Sequence, residues 1–202
     1  IGNCARRKAE QEQWLVPLLA GSLLLGPPLG RAWDAEHMAK AALRAGSHAV
    51  AGVNALQPLL VVAATMDDEA RLAAINQFFN RRIVFAEDDA VWTVADHWAS
   101  PLETLEKGRG DCEDYAIAKY FSLLAAGVPA AQLRLVYVRA QIGGPGGIVQ
   151  PHMVLAHYAQ PDAEPSILDN LIDGIRPASR RPDLTPVFSF NSEGLWQGTG
   201  GT

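Results

Sequence analysis

Cysteine is nearly missing from this chain of 202 residues, which holds only Cys4 and Cys112. A scaffold stapled by several disulfides is therefore excluded. Cations are the minority charge, 17 Lys and Arg against 22 Asp and Glu, for a formal net charge of -5. That balance lacks the basic footprint that phosphate contacts require, so nucleic acid is a poor partner. Long apolar runs are also missing. The longest apolar stretch, Trp14 to Leu25, is interrupted by Pro17 and Gly21 and is too short for a comfortable membrane span. No internal repeat or low-complexity tract divides the chain. With 49% hydrophobic residues it can bury one good core, and one globular domain is the expectation.

What is present at the start differs from the rest. Arg6, Arg7 and Lys8 precede the apolar stretch, and Pro27, Pro28 and Gly30-Arg31-Ala32 follow it. A basic segment, a short apolar one and small residues before Trp33 read as a secretory signal peptide over residues 1–32, leaving a domain over 33–202. Without the leader, basic residues fall to 13 and acidic ones to 20, so the charge becomes -7 and Cys112 is the remaining cysteine. A single thiol in an exported domain is either buried and inert or kept for its reactivity.

The stretch Gly108-Arg109-Gly110-Asp111-Cys112-Glu113-Asp114-Tyr115-Ala116 organises the domain. Ala116, Ile117, Tyr120, Phe121 and Leu124 recur at spacings of three and four, which predicts an amphipathic helix whose stripe Cys112 extends backwards. Asp111 is a suitable N-cap, Asp114 can complete a capping box, and Gly127 with Pro129 stops the helix. The thiol thus sits at the positive end of a helix, where the macrodipole favours a nucleophilic thiolate. Its acidic neighbours oppose this. A carboxylate about 6 Å from sulfur costs the thiolate roughly 3 kcal/mol at an effective dielectric of about 20, or about two pKa units. Either the acids point into water, or they hold a hard divalent cation such as calcium, or Asp111, Glu113 and Asp114 simply cap the helix.

Elsewhere, residues 34 to 64 read as helical with a break at Gly46, and Asp67 to Asn80 as a second amphipathic helix. Arg81 to Phe85 reads as a short strand or extended link, and 90 to 105 as a loop leading into a short helix, with Trp92 and Trp98 large enough to wall a cleft. The period then changes to two. Leu133–Val138 and Met153–Tyr158 read as an antiparallel hairpin joined through Gly143–Gly147, with further strands at Ser166–Leu171 and Pro186–Phe190 and a frayed tail from Gly194. Helices first and strands second predict an α+β domain, its helical N-terminal part packed on an antiparallel sheet.

His152 lies at the start of the second strand and Asp169 within the third, so thiol, imidazole and carboxylate can meet across neighbouring elements. The surrounding motifs sharpen this. Trp98-Ala99-Ser100-Pro101-Leu102-Glu103-Thr104-Leu105, the Gly108–Ile117 stretch, Pro151-His152-Met153-Val154-Leu155 and Ile167-Leu168-Asp169-Asn170-Leu171 resemble the bacterial transglutaminase-like cysteine proteases, and among them the LapG-type periplasmic enzymes. The resemblance implies a papain-like fold and a triad of Cys112, His152 and Asp169. It also implies calcium near the nucleophile at Asp111, Glu113 and Asp114. The substrate it implies is the N-terminal region of a large surface adhesin, cut near an Ala-Ala bond with release of the adhesin and dispersal of biofilm. The regulator it implies is an inhibitory inner-membrane receptor that responds to cyclic di-GMP. In this reading the oxyanion is met by the Cys112 backbone N–H, with the Trp98 indole as a candidate second donor. A transglutaminase or amidase with the same triad, and a non-catalytic calcium-dependent binding module, are the alternatives.

Overall fold

A computed structural model of the protein describes residues 35–197; the leader read over 1–32 lies outside the described residues. The helical half comprises α1 (Ala35–Ala45), α2 (Ser47–Ala63), α3 (Asp68–Arg82), the short α4 (Asp88–Val91) and α5 (Pro101–Lys107), and ends in α6 (Cys112–Ala125). Gly46 separates α1 from α2 with φ 146°, a conformation that side chains disfavour. Asp67 caps α3 by accepting from the Ala70 N–H, and Ser100 and Glu103 form a capping box on α5. The strands β1 (Val84–Phe85) and β2 (Arg109–Gly110) pair in parallel and bring the end of α3 beside the start of α6.

The main sheet contains β3 (Leu133–Ile142), β4 (Ile148–His157), β5 (Ser166–Leu168), β6 (Arg176–Pro177), β7 (Leu184–Phe190) and β8 (Leu195–Gln197). Its order is β6-β5-β4-β3-β7-β8, and all its pairings are antiparallel. The β3–β4 hairpin runs in unbroken register from Leu133 opposite His157 to Ile142 opposite Ile148. Its side chains alternate as a pleated strand requires. Leu133, Leu135, Met153 and Leu155 join Phe79, Leu56 and Leu123 in the core beneath the helices, whereas Val136, Val138, Val154 and Ala156 form a second cluster. Helix α6 lies at the centre, against both hairpin strands and α3.

The predicted α+β architecture is therefore the observed one, with local differences. The third strand stops at Leu168, which places Asp169 just beyond its end. The last predicted strand pairs with β3 on the far side of the sheet from β5. Of the tail expected to fray from Gly194, Leu195–Gln197 instead pair with Phe188–Phe190, and residues 198–202 lie outside the described residues.

Candidate active site

The nucleophile candidate stands where the sequence placed it. Asp111 is the N-cap of α6, with extended φ and ψ of -100° and -167°, and Cys112 is the first helical residue, 1% exposed. Two glycines make the approach possible. Gly108 closes α5 in a left-handed conformation at φ 60°, and a Cβ on Gly110 would lie 2.5 Å from Asp114 Oδ2. The Met153 N–H donates to Cys112 Sγ at 3.3 Å, which binds the helix start to β4.

His152, next to Met153, and Asp169 are buried, and Nε2 of the ring lies 2.8 Å from Asp169 Oδ1. That contact leaves Nδ1 as the ring nitrogen available to a nucleophile. Asp169 also accepts from the Leu171 N–H at 3.1 Å through Oδ1 and from Arg181 Nη2 at 2.7 Å through Oδ2. Its carbonyl accepts from Asn80 Nδ2 at 2.8 Å and Lys119 Nζ at 3.1 Å. Burial alone would raise the Asp169 pKa, but the His152 and Arg181 contacts outweigh it and hold the group below the usual carboxylate range. Lys119, wholly inside the protein, is pushed by burial down to about 7 despite Asp169 and Asp173.

The acids beside the cysteine do not point into water. Asp111, Glu113 and Asp114 are 3%, 2% and 0% exposed, which rules out the first remedy for their repulsion. Capping explains Asp114, whose carboxylate accepts from the N–H groups of Ala99 at 2.8 Å and Asp111 at 3.3 Å. The same capping box has the Asp111 side chain facing the Asp114 N–H, but it leaves Asp111 Oδ1 and Glu113 unexplained. Glu113 Oε2 lies 3.0 Å from Sγ, and Asp111 Oδ1 is buried with no hydrogen-bond donor among the described residues. Burial, then repulsion from Glu113, Asp114 and Asp88, drives the Asp111 pKa well above the usual carboxylate range. Asp114 is driven up to about 7, chiefly by burial.

Two further acids enter this cluster that the sequence reading had passed over. Asp88 belongs to an oxygen set with Asp111 and Asp114 and to another with Asp96 and Glu113, the atoms of each set lying within 4.8 Å of one another. Asp88 is held by the His97 N–H, which donates to its Oδ2 at 2.5 Å. The only sequence signal was the acidic run Glu87-Asp88-Asp89 ahead of the aromatic segment. Closely spaced oxygens, buried on Asp88, Asp111, Glu113 and Asp114 and exposed on Asp96, with an unpaired lone-pair donor fit a hard divalent cation.

Of the two tryptophans, Trp98 walls a cleft. It stacks on Phe190 at 5.9 Å and lines a groove of about 780 Å³ with Ile117, Phe121 and Leu135. Trp92 instead packs on His97, ring centroids 4.1 Å apart, beneath the Lys107 ammonium.

No curated protein matches the chain. Among solved structures, LapG of Legionella pneumophila aligns with 39% identity and a TM-score of 0.72, covering 83% of this chain and 90% of that one. Its calcium-bound form aligns with 38% identity and a TM-score of 0.74, over 84% and 91% respectively. An EGTA-treated form gives 39% and 0.72, over 83% and 87%. The family model described as bacterial transglutaminase-like cysteine proteinase matches residues 52–183, and the chain belongs to that family.

Proposed function

We propose that the protein is a calcium-dependent periplasmic cysteine endopeptidase that cuts the N-terminal region of a large surface adhesin near an Ala-Ala bond. Such cleavage would release the adhesin and control attachment in a biofilm. The observation that carries the reading is the attachment of the Cys112 helix start to the strand that bears the His152–Asp169 pair. A cysteine at a helix start accepts a hydrogen bond from the residue after His152, and that histidine is hydrogen-bonded to a buried Asp169.

In the proposed reaction the reduced Cys112 gives its proton to His152 Nδ1, and the thiolate attacks the scissile carbonyl. Asp169 at Nε2 fixes the ring and its tautomer and stabilises the imidazolium. The tetrahedral oxyanion is met by the Cys112 backbone N–H, one of the helix N–H groups that lack an intrahelical acceptor. His152 then protonates the leaving amine, and a thioester remains. Water, deprotonated by the same imidazole, hydrolyses the thioester and regenerates the thiol. Asp111, Glu113 and Asp114, joined by Asp88, are the residues that would hold calcium. A bound ion would offset their charge and fix the start of α6 beside the sulfur. Family membership and the calcium-bound form of the Legionella protein support this assignment. Export to the periplasm and restraint by an inner-membrane cyclic di-GMP receptor with a periplasmic domain are parts of the same proposal.

The test is cleavage of a purified adhesin N-terminal fragment containing an Ala-Ala bond, in reductant, with product ends sequenced. Wild-type protein in calcium should cut it, and Cys112→Ala and chelator-treated protein should not. Full cleavage by Cys112→Ala sinks the assignment. Unchanged activity at saturating chelator removes the required ion. Incorporation of an added primary amine into the product in place of hydrolysis would make the protein a transamidase.

A further inference from the structure

Asp169 is gripped on every polar atom of its side chain, and one of those grips has no place in the reaction just described. Oδ1 serves His152; Oδ2 accepts from Arg181 Nη2 at 2.7 Å. Arg181 lies in the connection that carries the chain from β6, at one edge of the sheet, to β7 beside β3. It is 3% exposed. Its own orientation is set by Asp183, which accepts from Nε at 3.0 Å and from Nη2 at 2.7 Å. Lys119 and Asn80 hold only the Asp169 backbone carbonyl, so among the described residues the carboxylate's facing is set by the Leu171 N–H on Oδ1 and by the guanidinium, the charged group on Oδ2.

A buried arginine is desolvated at considerable cost, so its ion pair with Asp169 is weak evidence for a role in stability alone. What the planar, rigid guanidinium adds is direction. With Oδ2 occupied, rotation of the carboxylate about its terminal bond would break an ion pair, so Oδ1 stays on the imidazole. We propose that Arg181 is a positioning residue for the hydrolysis, acting through Asp169 to hold the His152 ring with Nδ1 toward the nucleophile. This rests on the triad reading above. The same cation draws part of the Asp169 charge away from His152. The imidazole is thereby less firmly held as imidazolium and can return its proton to the leaving amine.

The experiment compares Arg181→Met and Arg181→Lys with wild-type protein, calcium-saturated and reduced, after equal folding has been verified by circular dichroism. Arg181→Met should lower kcat at least tenfold with KM within twofold of wild type. It should also shift or broaden the proton resonance of the His152 Nε2–Asp169 hydrogen bond. Arg181→Lys should recover part of kcat through its single ammonium contact. Wild-type kcat and an unmoved resonance in folded Arg181→Met would overturn the proposal, as would a loss expressed wholly in KM. If Arg181→Met does not fold, Asp183→Asn is the substitute, because it leaves Arg181 in place and loosens its anchor. A smaller fall in kcat is expected, and an unchanged kcat overturns the inference. Failure here is distinct from failure of the protease reading. If wild type cuts and Cys112→Ala does not, a wild-type-like Arg181→Met defeats only the role given to Arg181.

Discussion

Replacing Lys119 by Met should make the stability of this domain less dependent on alkaline pH. Lys119 is 1% exposed on α6, with Asp169 and Asp173 as its charged neighbours and the Tyr115 ring 5.6 Å from its ammonium. Burial lowers its pKa from 10.5 to about 7. Between those two values the unfolded chain binds a proton that the folded protein lacks. Stability therefore rises with pH across this window, and the full penalty of burying the ammonium is felt below it. From pH 7 to pH 9 the gain from this one group is about 2 kcal/mol. Lys119→Met removes the titration while keeping most of the hydrocarbon volume, and the Asp169 carbonyl keeps its hydrogen bond from Asn80 at 2.8 Å. The assay is urea denaturation of both proteins at pH 7, 8 and 9 with calcium and reductant constant. The stability difference, variant minus wild type, should fall by about 2 kcal/mol over that range. A difference that stays flat would show that Lys119 is hydrated or retains its proton, and would refute the reasoning.

Other perturbations probe the helix start. Asp88→Asn removes one charge from the buried oxygen cluster and should weaken calcium binding about tenfold or more by titration calorimetry, and an unchanged affinity would place Asp88 outside the coordination shell. Gly110→Ala would set a methyl group 2.5 Å from Asp114 Oδ2 and 2.8 Å from Asp114 Cβ, so the capping carboxylate must move. A loss of about 1–3 kcal/mol in denaturant stability and weaker calcium binding are expected together. Tyr115→Phe deletes the hydroxyl that donates to the Ile83 carbonyl and ties α6 to the end of α3. It should cost about 1–2 kcal/mol, and a neutral effect in the same assay would count against that tie.

The helix bearing Cys112 was readable because its capping acids, apolar spacing and glycine stops are local signals that all agree. The hairpin was readable for the same reason, since period two and a glycine-rich connection specify register with little help from the rest of the fold. Asp88 and Asp96 were not, because acids distant from Cys112 in sequence join its cluster only through the fold around α4 and β2. Arg181 was hidden for a similar reason. Its partners are Asp183, two residues on, and Asp169, which is reached only when the chain returns across the sheet. The short strand Leu195–Gln197 was not legible because glycine around position 194 suggests fraying. Asn191 instead builds a turn there, accepting the Glu193 N–H at 2.7 Å and donating its own N–H to the Gly194 carbonyl at 3.1 Å. Burial was the other missing quantity. Spacing left three fates open for Asp111, Glu113 and Asp114, and only their enclosure removed the solvent-exposed one.

The most direct measurement is the rate at which iodoacetamide alkylates Cys112 at pH 7 in reduced, calcium-saturated protein, for wild type, His152→Ala and Asp169→Asn. If His152 activates the sulfur and Asp169 holds the imidazole, His152→Ala should slow alkylation by about 100-fold or more, with Asp169→Asn in between. Alkylation of folded His152→Ala at the wild-type rate would contradict the account.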